Sequence, residues 1–310
     1  CRPGRRRWRS SRRRFAPRAR VSDFSPDWLA LREGVDARTR DLSFPATLAA
    51  ERLEGAPLRV MDLGSGIGAN PRFLGPNLGC DQHWLLLDSD ARLLQRAPEA
   101  MRAWAFDQGY DAGPAGDGMH LLGSAFSATL CWRRLDLATD LNTLPFGETD
   151  LVTASALLDL VSRDWLDNLV HHCSVHGCAV LFALSFDGRM IWRPRMDADR
   201  DVTGLFNRHQ GWDKGFGPAL GPAATAYSAQ CLERAGYRVR RVQSDWRLAP
   251  ADGTLQAALA RGVADAAMEV GGEQCARVES WLSERLACIR RQASALVVGH
   301  FDLLALPPSL

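Results

Sequence analysis

The chain has 310 residues, 46% of them hydrophobic and 24% charged, an ordinary globular balance with enough chain for one large domain or two small ones. No stretch approaches the roughly 18 consecutive apolar residues of a membrane-crossing helix, so a soluble protein is expected. The net charge of +2 hides two unlike parts: residues 1–20 carry ten Arg and no acid, leaving 28 basic against 36 acidic residues in 21–310, a net of −8. Nucleic-acid binding needs a basic surface, which this body does not offer.

The Arg-rich head has three readings. It could be a basic arm for an acidic partner. Ser11-Arg12-Arg13-Arg14-Phe15 resembles the start of a twin-arginine export signal, but the apolar stretch of about 7–15 residues that export needs does not follow. The favoured reading is a disordered extension, native or not, because a stretch so rich in Arg and so poor in apolar residues cannot build a core. The eight Cys show no regular spacing, which suggests free thiols in a reducing cytoplasm.

Residues 21–56 read as a helical segment, with Ser25 as N-cap and Pro26 in the first turn. PLRVMDLGSG then gives a short apolar run closed by glycines, a buried strand and a tight turn. QHWLLLDSD is a second strand, ARLLQRAPEAMRAWAF a helix, and ATLCWRRLDL a third strand reached through a glycine-rich loop at 109–118. TDLVTASALLDLV holds a fourth strand, SRDWLDNLVHHCSVHG a helix that Gly177 would end, and CAVLFALSF a fifth strand. Residues 187–222 read as an inserted loop or lid. AATAYSAQCLERAG is a helix, YRVRRVQSDWRL a sixth strand, 252–293 a helical insertion, and ALVVGHFDLLALP a seventh strand. Strands with continuous apolar runs alternating with helices predict an α/β fold with a parallel sheet covered on both faces.

The strongest motif is Asp62-Leu63-Gly64-Ser65-Gly66-Ile67-Gly68. Glycines let the backbone turn sharply and approach a ligand, and a helix starting near Ala69 would aim N–H groups at it. Gly64, Gly66 and Ala69 also satisfy the dinucleotide fingerprint. Asp62 separates the two readings: a carboxylate here repels a pyrophosphate and suits an ammonium or sulfonium.

On these residues the chain resembles class I S-adenosylmethionine (SAM)-dependent methyltransferases. VMDLGSGIGAN is similar to their first motif, and the resemblance covers roughly 57–187 well and the tail more loosely. It implies a Rossmann-like domain over 57–310, with a seven-stranded, mostly parallel sheet in the order 3-2-1-4-5-7-6. It also implies SAM as cofactor and methyl transfer by in-line displacement, to O or N more than to C. Asp88, at the end of strand two, would take the ribose hydroxyls. Asp136 and Leu137, at the end of strand three, would take the adenine. Ser65, Asn70, Ser89 and Ser155 complete the expected cofactor set.

The substrate side is less defined. Leu158 is expected in the pocket wall, and Asp159 reads as a base or a structural acid. The insertion supplies Trp212, Lys214 and Phe216 as substrate contacts and His209 as a base, since an imidazole titrates near neutrality. Lys214 is the only Lys, against 37 Arg. The His/Cys-rich segment 171–178 falls at the opposite sheet edge, and no metal is expected. A small-molecule acceptor is the expected partner, with neither nucleic acid nor membrane. The alternatives are a nucleic-acid or protein methyltransferase, a nicotinamide oxidoreductase (without a Tyr-x-x-x-Lys pair), and a non-catalytic SAM-binding protein.

Overall fold

The computed structural model describes residues 25–51 and 56–308, and the Arg-rich head lies outside them. The chain enters through α1 (Pro26–Thr39) and α2 (Ser43–Ala50). Ser25 Oγ accepts the Trp28 amide at 3.1 Å, which satisfies a donor the first helical turn leaves open.

Then come β1 (Leu58–Leu63), α3 (Ala69–Leu78), β2 (Asp81–Asp88), α4 (Ala91–Gln108), β3 (Asp111–Ala115), β4 (Gly118–Leu122), β5 (Ser127–Arg134), α5 (Leu137–Asp140), β6 (Leu151–Ser155) and α6 (Arg163–His176). The second half holds β7 (Ala179–Arg193), α7 (Asp199–Gln210), α8 (Ala224–Arg234), β8 (Arg238–Gln243), β9 (Trp246–Leu248), α9 (Gly253–Gly271), α10 (Cys275–Arg290) and β10 (Ala295–Leu306).

The sheet path β5-β2-β1-β6-β7-β10-β8 contains the expected seven strands in the expected order. The first five run parallel, and β10 runs antiparallel to both β7 and β8. The sheet differs in detail because it has ten strands. The predicted loop at 109–118 is mostly a hairpin, β3 and β4, on the outer edge of β5. Its turn is Gly116-Asp117, with Gly116 at φ 55°, the two-residue connection that favours hairpins. Pro114 sits on β3, an edge strand, where its missing N–H costs nothing. The predicted sixth strand is broken at Ser244–Asp245 into β8 and β9, and β9 also pairs with β10.

Alternation along β1 sorts its side chains. Leu58 and Val60 pack with α2, α3 and α4, while Met61 and Leu63 pack with α6 and α8 on the other face. Each buried Leu or Met removes apolar area from water worth about 1.5–3 kcal/mol, so a one-residue slip would be costly on both faces.

The 187–222 segment departs from the loop expectation. β7 continues to Arg193 by pairing with β10, and 199–210 is the helix α7. Its polar sequence conceals a buried edge of Val202, Leu205 and His209, spaced three and four apart. α7, α9 and α10 join the far ends of β7 and β10 in a separate apolar cluster, which Val35 of α1 also enters. Among the described residues, no helix is long and apolar enough to cross a membrane.

Candidate active site

The site begins at the turn between β1 and α3. Gly64, Gly66 and Gly68 have φ of 70°, 55° and 85°, conformations that cost an L side chain about 1–2 kcal/mol each. The turn's amides are already engaged. Ser65 donates to Leu87 O and Gly68 to Ser65 O, both at 2.9 Å. Gly66 donates to Asp88 Oδ2 at 2.8 Å. A pyrophosphate would have to compete with that carboxylate for the Gly66 N–H.

A cleft of about 290 Å³ opens above the turn, at the carboxyl ends of the parallel strands, where open α/β sheets bind ligands. Gly64, Gly66, Asp88, Ser89, Asp136, Leu137, Ser155, Lys214 and Phe216 line it, nine of the residues singled out from sequence. Asp88 Oδ1 also accepts the Asp90 amide at 2.8 Å, and the Ser89 amide adds to the backbone donors around the carboxylate, which still has capacity for a further donor. Burial raises the Asp88 pKa, and the Asp90 and Gly66 amides oppose the rise. Asp136 caps α5 by accepting the Ala138 amide at 3.0 Å while lining the same cleft. Asp90, whose carboxylate pairs with Arg92 at 2.8 Å, also lines the cleft, as do the cationic residues Arg32 and Lys214.

Asp62 is not among the cleft-lining residues; only 1% of it is exposed. Its Oδ1 accepts Asn70 Nδ2 at 2.7 Å, and Asn70 Oδ1 accepts Arg40 Nη1 at 2.8 Å. Burial pushes Asp62 up to about 7, against the Asn70 hydrogen bond and the Arg40 charge. Asp62 is therefore buried away from the cleft that the glycine turn borders. Asn70 instead lines a second cavity of about 250 Å³ with Arg40, Phe73 and Trp104, and Ser155 borders both spaces. Ser65 and Gly68 shape the turn without lining either space.

Sequence reasoning missed the wall supplied by α1. Leu29 and Arg32 line the cleft, and Leu29 Cδ1 lies over Gly66, 3.1 Å from where a Cβ would stand. Arg32 pairs with Asp36 at 2.8 Å, and Asp36 accepts Trp246 Nε1 at 3.0 Å. Further contacts tie α1 to the body: Glu33 receives Arg72 Nη2 at 2.7 Å. Contacts between positions so far apart leave no local signature. After β6, Ala156 adopts φ 54° and lines the cleft with Leu157 and Leu160. Leu158, the residue expected there, is buried in the sheet core.

On the insertion side, Phe216 packs edge-on against Trp165, ring centres 5.4 Å apart, and Trp165 Nε1 donates to Leu137 O at 2.6 Å. His209 and Trp212 are not among the cleft-lining residues. Their rings pack together, centres 4.9 Å apart, and His209 Nδ1 stands 3.2 Å from Lys214 Nζ. Burial lowers the Lys214 pKa, with Glu269 and Asp159 opposing. Asp159 is itself buried, which pushes it up to about 6 against the charges of Arg32 and Lys214. His172 stacks on Phe146, and no group of three or more potential metal ligands occurs among the described residues.

No family profile matches this chain, and no curated protein matches it in sequence. Solved structures similar to it include the cyclopropane synthase MmaA2 of Mycobacterium tuberculosis, at 11% identity and a TM-score of 0.43, over 91% of this chain and 86% of that one. Geranyl diphosphate C-methyltransferase of Streptomyces coelicolor is similar at 13% identity and a TM-score of 0.42, over 95% and 90%. A phosphoethanolamine N-methyltransferase 2 of Haemonchus contortus is similar at 11% identity and a TM-score of 0.41. The match to this last protein covers 93% of this chain but 59% of that longer one.

Proposed function

We propose that this chain is a SAM-dependent methyltransferase acting on a small-molecule acceptor, with the cleft above the glycine turn as its cofactor site. One observation carries the reading: the Gly66 amide is held by Asp88 in a cleft that Asp90 and Asp136 also line. A carboxylate beside the glycine turn suits a nucleoside joined to a cationic amino acid better than a pyrophosphate, while Arg32 and Lys214 supply the cations that line the same cleft.

The residues fit that guest. Asp88 would accept the ribose hydroxyls on the lone pairs its backbone partners leave. Asp136, the Leu137 amide and Leu93 would receive the adenine. Gly64, Ser155 and Ala156 would border the amino-acid end. Bound there, SAM supplies a methyl group already activated on sulfonium sulfur. The protein then has to align the acceptor and exclude water. Leu29, Leu157, Leu160 and Phe216 form apolar walls suited to exclusion. In this reading 57–310 is the methyltransferase domain, and the segments 187–222 and 252–293 build the acceptor side.

Calorimetry with S-adenosylhomocysteine and, separately, with NAD tests the cofactor assignment. Binding of the first and not the second is expected, and the reverse would end this reading. Incubation with labelled SAM and a metabolite extract then distinguishes an enzyme, which labels a small molecule, from a binding protein, which labels nothing.

A further inference from the structure

Among the side chains that are cationic at neutral pH, one that can lose its proton is scarce in this molecule. Arg remains charged at any ordinary pH, whereas a buried Lys need not, and the chain has 37 Arg and a single Lys. That residue, Lys214, is placed by a compact loop. Asp213 Oδ1 accepts the amides of Gly215 at 2.7 Å and Gly217 at 3.0 Å, and both glycines have positive φ, 102° and 88°. The loop turns Lys214 inward, where it is 9% exposed and lines the cleft beside Phe216 and Leu157.

Behind it stands His209 of α7, with Nδ1 3.2 Å from Lys214 Nζ. His209 Nε2 lies 3.3 Å from Oε2 of the exposed Glu269 of α9. The other charged groups around the ammonium are Asp159, from the 3-10 turn Leu158–Leu160, and Arg32 of α1 across the cleft.

We propose that Lys214 is the proton acceptor of the methyl-transfer step and that His209 is the positioning residue that holds its nitrogen. The proposal rests on the cleft being the SAM site. With the ring proton of His209 on Nε2, Nδ1 accepts one N–H of the neutral amine, and the amine lone pair is left for the cleft. In the step, the acceptor's O–H or N–H bond breaks and the proton joins that lone pair, giving an ammonium. The acceptor's electron pair forms the new bond to the methyl carbon, and the old carbon–sulfur pair stays on sulfur. Burial favours the neutral amine that this role needs, since it holds the Lys214 pKa below the ordinary lysine value,.

Because the chain holds one lysine, its titration can be read directly. Trace acetylation with acetic anhydride across a pH series, followed by mass spectrometry of the peptide containing Lys214, gives the midpoint. The expected midpoint lies below that of an ordinary lysine, and lower still in Glu269→Gln, which removes a charge that favours the ammonium. Lys214→Met and Lys214→Arg should both keep S-adenosylhomocysteine affinity and lose methyl transfer. A midpoint at or above the ordinary lysine value, or no labelling of the folded protein, would mean a charged anchor or a closed-off amine and overturns the proposal alone. If the unaltered protein fails to bind S-adenosylhomocysteine, the site reading falls and takes the proposal with it.

Discussion

Asp88 Oδ2 accepts the amide of Gly66 at 2.8 Å, so the end of β2 holds the middle of the turn that follows β1. The two strands are neighbours, which brings the carboxylate to the glycine across 22 positions of sequence. The bond ties the shape of the turn to the end of β2.

Replacing Asp88 by Ala should lower S-adenosylhomocysteine affinity by roughly 100-fold or more. Two hydrogen bonds to a charged acceptor are worth about 1.5–3 kcal/mol each, and 1.4 kcal/mol is tenfold. Asp88→Asn should lose less, because one acceptor oxygen remains. Calorimetry that finds Asp88→Ala binding as tightly as the unaltered protein would remove Asp88 from the cofactor site.

Gly66→Ala should cost about 1–2 kcal/mol for the left-handed backbone alone. It should also push Leu29 off the cleft, since the added Cβ would meet Leu29 Cδ1 at 3.1 Å. Adding Leu29→Ala should relieve the crowding and leave the backbone cost. Denaturant unfolding separates the two; a double variant no more stable than Gly66→Ala would show that Leu29 does not press on the turn.

Asp62 should make stability depend on pH. Its carboxyl is pushed up to about 7 by burial in the folded protein, above its unfolded value of about 3.9. The folded state therefore holds an extra proton between these values. The contribution to stability is complete below about pH 4 and is lost as pH rises toward 7. Asp62→Asn keeps an oxygen for Asn70 and should fall less in unfolding midpoint over that range. Parallel pH profiles for the two proteins would contradict the assignment.

Asp199→Ala should destabilise the helical cap by about 3–5 kcal/mol, the usual cost of stranding a buried charge. Arg285 is fully buried, donates to Asp199 Oδ1 at 2.7 Å, and lies over the Trp192 ring. Trp281 Nε1 donates to the same oxygen at 2.8 Å. Protease should then cut α10 earlier than in the unaltered protein, and unchanged resistance would argue that the cap tolerates an unpaired Arg285.

Much of the fold is legible locally. The glycines at 64, 66 and 68 announce the turn, and the alternation of strand and helix announces a parallel sheet. The hairpin at 111–122 also left a signal, in Gly116-Asp117, but Pro114 and Gly113 disguise its first strand. α7 is concealed by its charges, although Val202, Leu205 and His209 keep helical spacing. Asp88 and Ser155 could be placed beside the cleft because strand ends in such a sheet face one way. Arg40, Leu29 and Arg32 could not, since their partners are set by packing between distant segments.

From the residues alone came the alternation of strands and helices, the turn between β1 and α3, and the strand-end carboxylates, because hydrophobic period and glycine conformation act over a few neighbouring positions. The fold decided which carboxylates meet the cleft and which is buried, that α1 roofs the glycine turn, and that the single lysine faces inward against His209. Those outcomes depend on burial and on contacts between residues far apart in the chain, and no short stretch of sequence carries them.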